Sequence, residues 1–480
     1  MRMIQKYLTN QRNSPRTFAV PSRADRPFLE PVKSAFRIPR QMETSNSRTW
    51  IDRRVVHAMD AWESCASRPP LPGLRFSPQA QQKHEQAYED GLRSFEREAK
   101  SASRSRDARL HAQRRIVAIF PRFASIALGL GDDAIGLLTE SFVPVGSGLA
   151  RWARRFDPAL SMPDIIQACR NAWTACGLQP LLGDPIGITP SILGYSLLYP
   201  YSDNHLDQQG ISRADKLRFS RRFRDRLRGC NETPRHHHER AVWAMVLLIE
   251  NQYPRLQYPQ VYECLLAIHQ AQEDSLAQLN GCATINPRDL LRLSCAKGGT
   301  SVLADACLSH GYLSAEEAQF AFDWGVLLQL GDDLQDVKED LLRGSATLFT
   351  QAAISRIPLD RLVLQLLSFS DRVAEQMDGL PNGDAFLKDL LRMSWRSLIY
   401  MAVANAPEYF TKAFLAEMES WSQFRFGFLR AKRKYMSGRQ SLYKTIFDAC
   451  TETGENNSNG LPDPERWLRS TGEPTAEAVA

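Results

Sequence analysis

One stretch of the chain, residues 324–340, constrains the protein most, because an apolar run turns acidic there without losing helical spacing. Asp332, Asp336 and Asp340 follow one another at four-residue intervals. On an α-helix this interval stacks side chains on one face, with neighbouring Cβ atoms about 6 Å apart. Like charges in such a row repel one another, and a bound cation is the usual compensation. The stretch therefore predicts a divalent-metal site that needs further ligands from elsewhere in the chain.

Composition narrows the class of protein. The 480 residues are 43% hydrophobic and 24% charged, which is typical of a globular chain. No apolar run reaches the roughly 18 residues of a membrane-spanning helix, so we expect no transmembrane segment. A net charge of +6 suits an anionic substrate. No zinc-finger or RNA-binding motif is present, so we expect no nucleic-acid partner.

The cysteines indicate the compartment. Nine cysteines are scattered along the chain without a CxxC pair, which favours a reducing, cytoplasmic setting with free thiols. The N-terminus carries Arg and Ser and few acids, so an organelle transit peptide stays open.

Residue composition and periodicity divide the chain into three parts. Pro, Ser and Arg recur through residues 1–105, which we expect to form a mostly disordered or loosely helical extension. Helical periodicity runs through residues 106–440 with almost no strand-like alternation, which predicts an all-α bundle. Gly, Asn, Pro and Glu dominate residues 441–480, which we expect to be a largely disordered tail.

A second acidic pair precedes the first motif by about 125 residues. Asp203 and Asp207 again stand four residues apart, with Tyr199 and Tyr195 one and two turns earlier. Trp324 holds the corresponding position below Asp332. Two such helices facing each other predict a pocket with an aromatic floor and an acidic rim. Such a rim binds Mg²⁺ ions, which in turn bind a diphosphate.

The pair Asp203-Asn204-His205-Leu206-Asp207 and residues 332–340 resembles the two aspartate-rich motifs of the class I isoprenoid synthase superfamily. That superfamily includes trans-prenyl diphosphate synthases, squalene and phytoene synthases, and class I terpene cyclases. The resemblance covers about residues 110–440. It implies a class I terpenoid synthase-like helical bundle with a central active-site cavity. It also implies three Mg²⁺ ions, with Mn²⁺ as an alternative, held by Asp203, Asp207, Asp332, Asp333, Asp336 and Asp340.

Basic and aromatic residues complete the implied site. Arg292 and Lys297 precede a Gly-Gly pair and are similar to the diphosphate-sensing residue that the superfamily places beside a helix break, which the glycines would supply. Arg343 resembles the Arg of an Arg-Gly pair in phytoene synthases. Arg433 and Tyr435 are similar to a late Arg-Tyr pair of terpene cyclases, although here they stand two positions apart. Aromatic faces would stabilise a carbocation by cation–π attraction, and the candidates are Tyr195, Tyr199 and Trp324.

The resemblance leaves the branch of the superfamily open. Residues 332–336 match the DDxxD motif of chain-elongating synthases, and residues 336–340 with Arg343-Gly344 match phytoene synthases. The spacing of the aspartates from 332 to 340 is also similar to the second metal motif of terpene cyclases. Asn204 replaces the second Asp of a first DDxxD motif, which disfavours the elongating branch.

The sequence therefore predicts a class I terpene synthase, a carbon–oxygen lyase that ionises an allylic prenyl diphosphate and cyclises or rearranges the cation. The alternative is a squalene- or phytoene-type head-to-head prenyltransferase. A second alternative is a non-catalytic binding protein of the same fold. Substrate chain length, product skeleton and assembly, a homodimer included, stay open.

Overall fold

A computed structural model describes residues 45–66, 70–71, 73–102, 105–207, 210–275 and 285–439, with isolated positions up to residue 467. The side chains of a few helical residues, among them 199 and 203–207, lie outside this description. Within the described ranges the chain is helical and contains no β-strand, which confirms the all-α prediction. No helix in these ranges combines the length and the apolar character that crossing a bilayer requires.

The helices follow the chain in this order: α1 (Ser45–Cys65), α2 (Pro78–Ala102), α3 (Arg106–Leu128), α4 (Asp132–Leu137), α5 (Val143–Phe156), α6 (Met162–Leu178), α7 (Pro190–Asp207), α8 (Arg213–Leu227), α9 (His237–Gln252), α10 (Pro259–Ser275), α11 (Pro287–His310), α12 (Ala315–Gln335), α13 (Val337–Arg343), α14 (Leu348–Ile354), α15 (Asp360–Asp378), α16 (Ala385–Asn405), α17 (Lys412–Ser420) and α18 (Phe426–Ser437). A π-helical turn, Leu138–Phe142, joins α4 to α5.

Helices α11 and α12 form the centre of the bundle and pack along most of their length. Their backbones meet at Gly298 and Gly325, where a Cβ added to Gly325 would lie 2.1 Å from the Gly298 carbonyl oxygen. The Phe322 ring fills the space beside Gly299. The prediction that the glycine pair breaks a helix is wrong, because α11 runs unbroken through both residues. The glycines instead permit the close approach of two helices.

Helix α1 belongs to the fold although it lies inside the range predicted to be a loose extension. Its Trp50 indole N–H donates to Glu263 Oε2 at 3.0 Å, and its Trp62 carbonyl accepts from Gln365 at 2.7 Å. The Trp62 ring packs edge-on against Phe369. Apolar residues at helical spacing bury one side of α1 against the core. The Pro- and Arg-rich flanks masked this short amphipathic signal in the sequence.

Helix α2 also lies inside that range, and it pairs its acidic side chains with the basic stretch of α18. Glu85 binds Arg425 through both carboxylate oxygens, and Lys432 Nζ lies 2.6 Å from Glu89 Oε1. The Tyr435 hydroxyl donates to Glu96 at 3.1 Å. Much of the basic character of residues 425–439 therefore serves to dock one helix on another.

Part of the C-terminal tail, which we predict to be largely disordered, contacts the bundle. The indole N–H of Trp467 donates to the Ala244 carbonyl at 3.0 Å. The indole N–H of Trp152, on α5, donates to the Pro462 carbonyl at 2.8 Å. These contacts attach the described tail residues to α5 and α9.

Candidate functional site

The acidic stretch spans two helices that meet at a bend. Helix α12 ends at Gln335, α13 begins at Val337, and Asp336 between them has φ −96° and ψ 8°. The Asp336 N–H still donates to the Asp332 carbonyl at 2.9 Å, and the Asp340 N–H donates to the Asp336 carbonyl at 2.8 Å. The four-residue spacing of the three carboxylates thus survives, but the single straight helix expected from the sequence does not.

Asp332 faces a basic partner that no sequence motif identifies. Its Oδ2 lies 3.8 Å from the Arg170 Nη2 of α6, and both side chains are partly exposed. Arg170 lies about 160 residues before Asp332 and belongs to no acidic or glycine-rich motif. Only the packing of α6 beside the α11–α12 pair brings its guanidinium to this position.

Asp333 links the two central helices. It is 6% exposed, and its oxygens accept from Ser294 Oγ of α11 at 2.8 Å and from Gln329 Nε2 at 2.7 Å. Burial raises the pKa of Asp333 to about 6, against the effect of these two donors and of Lys297. Both oxygens of this predicted metal ligand therefore accept hydrogen bonds within the protein.

Asp340 lies in a crowded negative field. Burial raises the pKa of Asp340 to about 7, and the charges of Asp333 and Asp336 raise it further. Arg343 and Lys297 oppose the shift. The charges of Lys297 and Arg343, which were proposed from other motifs, thus act on the same carboxylate as those of Asp333 and Asp336.

The two C-terminal residues proposed from the sequence, Arg433 and Tyr435, have different neighbours. Arg433 Nη2 lies 3.5 Å from Glu339 Oε1 on α13, so it borders the acidic helix. Tyr435 bonds with Glu96 of α2 and packs under Arg439. Arg292 is exposed near the N-terminal end of α11.

Contacts among α6, α7 and α11 show where the Asp203–Asp207 motif lies along the bundle axis. Asn171 of α6 donates to Asp305 of α11 at 2.8 Å and to Ser196 of α7 at 3.3 Å. Ser191 of α7 donates to the Leu308 carbonyl of α11 at 2.8 Å. Rising numbers on α7 thus meet falling numbers on α11, so these two helices run in opposite directions.

This pairing places the end of α7 at the same level along the bundle as the acidic end of α12. Asp207 follows Ser196 by 11 residues, and Ser294 precedes Asp305 by 11 residues. At about 1.5 Å per residue, both lie about 16 Å along the bundle from the Asn171 contacts. Ser294 is the residue that holds Asp333. The two acidic motifs therefore occur at the same end and at a similar level.

The side chains of Asp203, Asp207 and Tyr199 lie outside the described residues, so their contacts stay predictions. Tyr195 is described and lines a cleft between α7, α8 and α10. Trp324 instead packs against Phe320 and Trp395. The described residues thus do not join Tyr195 and Trp324 in one pocket floor. The Trp324 indole N–H is buried and finds no acceptor among them.

The donors at this end of the bundle have the chemistry of a magnesium site. The candidate ligands are all carboxylates, and hard oxygen donors suit Mg²⁺ better than softer ions. Among the residues whose side chains are described, no three His, Cys, Asp or Glu lie close enough to hold one ion. That set leaves out both acids of α7.

Neither a protein-family model nor a curated protein sequence matches this chain.

Proposed function

We propose that this protein is a class I isoprenoid synthase that uses Mg²⁺ to ionise an allylic prenyl diphosphate and then cyclises or rearranges the carbocation. The observation that carries the proposal is the neighbourhood of Asp340, which combines the charges of Asp333 and Asp336 with those of Lys297 and Arg343. A diphosphate with its metal ions needs both signs at one place, because carboxylates bind the ions and basic side chains bind the anion.

The proposed metal ligands are Asp332, Asp336 and Asp340 on one side and Asp203 and Asp207 on the other. When bound, Mg²⁺ would supply the positive charge that makes diphosphate a competent leaving group. The crowding of carboxylates around Asp340 supports this assignment, since a cation in their midst would relieve the repulsion that raises its pKa.

The basic residues in this proposal bind and orient the diphosphate. The charge of Lys297, on α11, opposes the rise in the pKa of both Asp333 and Asp340. Arg343 ends α13, and the αL residue Gly344 caps that helix. Arg170 would exchange its ion pair with Asp332 for a phosphate oxygen, because guanidinium binds phosphate well.

The bundle beneath this end would keep water from the carbocation. Leu330, Leu327 and Val326 of α12 are buried two, five and six residues before Asp332. Apolar walls of this kind let a cation rearrange before water quenches it. Trp324 is buried about two turns below Asp332, and its ring is the proposed source of cation–π stabilisation on this helix.

The test is incubation with geranyl, farnesyl and geranylgeranyl diphosphates and Mg²⁺, followed by mass spectrometry of organic products and assay of released diphosphate. C10, C15 or C20 terpenes support the proposal. A C30 or C40 hydrocarbon would assign the head-to-head branch instead. Absence of Mg²⁺-dependent diphosphate release from all three substrates, with the protein folded, would refute an ionising enzyme and leave a binding protein.

A matched pair of variants ties any activity to this end of the bundle. Lys297→Gln removes the charge beside Asp333 and Asp340, and we expect it to raise KM and lower kcat. Lys388→Gln makes the same change on α16, where Nζ donates to the Leu380 carbonyl at 3.2 Å, and we expect normal kinetics. Equal effects of the two changes would argue against a diphosphate site at Lys297.

A further inference from the structure

Two buried cysteines meet where α10 packs on α11. The Sγ atoms of Cys264 and Cys307 lie 3.2 Å apart, and neither residue is exposed to solvent. A disulfide needs an S–S distance of about 2.05 Å, so the sulfurs need to approach by only about 1.2 Å. Rotation of two side chains supplies a movement of this size without displacing a helix.

This pairing distinguishes the two residues from other buried cysteines. Cys169 Sγ donates to the Gly146 carbonyl at 3.6 Å, and Cys176 Sγ donates to the Gly187 carbonyl at 3.6 Å. Those thiols have backbone acceptors within their own region of the bundle. Cys264 and Cys307 instead hydrogen bond with each other.

The surroundings of Cys264 make its thiol a slow nucleophile. Burial raises the pKa of the Cys264 thiol well above its usual range, and Cys307 adds to the shift. The Arg54 guanidinium of α1 opposes it. The thiol form dominates at neutral pH, so the reaction is slow and needs local opening of the helix contact.

We propose that Cys264 and Cys307 form an intramolecular disulfide when the protein meets a small peroxide, and that the bond joins α10 to α11. Hydrogen peroxide converts one thiol to a sulfenic acid and is itself reduced to water. The second sulfur then displaces the hydroxyl group, which leaves as another water with the proton of that thiol. Two thiols and one peroxide thus give one disulfide and two waters.

The bond would close a loop of 43 residues between the two helices. Closing a loop of that length removes conformations from the unfolded chain, and we expect the midpoint of thermal unfolding to rise by about 5 °C. Cys295 of α11 is also buried, but α11 places it 12 residues before Cys307, about 18 Å along the helix. The oxidised pair is therefore specific.

The experiment treats the full chain with dilute hydrogen peroxide, unfolds it, alkylates free thiols and maps the peptides by mass spectrometry. We expect one linked pair that joins the peptides of Cys264 and Cys307, with the loss of two alkylation sites. Cys264→Ser and Cys307→Ser should each abolish the link and the rise in melting temperature, and Cys169→Ser should keep both.

Mapping of the unmutated chain decides the proposal even where a serine variant does not fold. Alkylation of both Cys264 and Cys307 after oxidation of the folded protein would overturn it. A dominant link from either residue to another cysteine would overturn it as well.

Discussion

At the interface of α8 and α9, buried and partly buried carboxylates bond with arginines, whereas at the end of α12 and in α13 the charges of the carboxylates act on one another. Glu239 accepts from Arg222 at 2.8 and 3.0 Å, and Glu250 accepts from Arg226 and Arg255. Burial alone would raise the pKa of Glu239 and of Glu250. The arginines reverse this effect and hold both pKa values below their usual range.

At the end of α12 and in α13 the carboxylate pKa values shift upwards instead. Burial raises the pKa values of Asp333 and Asp340, and neighbouring aspartates raise them further. Lys297 and Arg343 are too few to reverse the shift. The protein itself thus compensates the α8–α9 carboxylates, whereas the charges of the α12–α13 carboxylates stay largely uncompensated, as the proposed metal site requires.

The largest effect that we expect from this difference is a loss of turnover when Asp336 is changed. Asp336→Asn should reduce turnover of a prenyl diphosphate by about 10³-fold or more, because it removes one carboxylate of the proposed metal site. Its thermal midpoint should stay within about 2 °C of the unmutated protein, because asparagine keeps the size and shape of the side chain. Steady-state diphosphate release and differential scanning calorimetry measure the two quantities.

Asp389→Asn is the matched control, because Asp389 is an exposed acid whose Arg392 partner lies on the same helix. It should leave both turnover and melting unchanged. Retention of full turnover by Asp336→Asn would remove Asp336 from the metal site.

At the α8–α9 interface the same kind of change should act on stability instead. Glu250→Gln leaves Arg226 and Arg255 partly buried without their shared carboxylate. Removal of one member of such a buried network costs about 3 kcal/mol in the free energy of unfolding. Urea denaturation measures this loss, and a value below about 1 kcal/mol would show that the network is replaceable.

The two regions also differ in how much of their structure can be predicted from local sequence patterns. Helical periodicity and the absence of alternation predict an all-α bundle, and the structure contains one. The spacing of Asp332, Asp336 and Asp340 predicts a concentration of negative charge, because local periodicity alone sets it. Arg170 is different, since it approaches Asp332 only through the packing of distant helices. No local pattern marks such a residue.

Some sequence patterns fit two different structural roles, and the sequence alone does not choose between them. Two adjacent glycines fit either a helix break or a close helix contact, and only the position of Gly325 opposite Gly298 selects the second. The basic residues of α18 fit either a phosphate or an acidic helix. Glu85 and Glu89 of α2 select the helix for Arg425 and Lys432. The sequence does not reveal which partner faces each side chain.

Acid should weaken the α8–α9 interface in a defined pH window. Glu239 and Glu250 have lowered pKa values in the folded protein, so the unfolded chain takes up protons first as the pH falls. The stability they contribute is present above about pH 4.5, the ordinary value for glutamate, and is lost as the pH falls through the lower folded values. Unfolding of the unmutated protein and of Glu250→Gln at pH 7, 5 and 3.5 should show their difference shrinking at the lowest pH.

The smallest effect that we expect is a gain in stability rather than a loss. At pH 8 without divalent ions, Asp340→Asn removes one of several mutually repelling charges and keeps a side chain of nearly the same shape. We expect the free energy of unfolding to rise by about 0.5 kcal/mol, the usual scale for like charges one helical turn apart. Chemical denaturation in the presence of a chelator measures it, with Asp389→Asn again as the control. Destabilisation by more than about 1 kcal/mol would mean that the Asp340 carboxylate supports the fold as Glu250 does, and the contrast between the two regions would fail. Stabilisation that disappears when Mg²⁺ is added to both proteins would instead tie the repulsion at α13 to a bound cation, because only the unmutated carboxylate set gains from the ion.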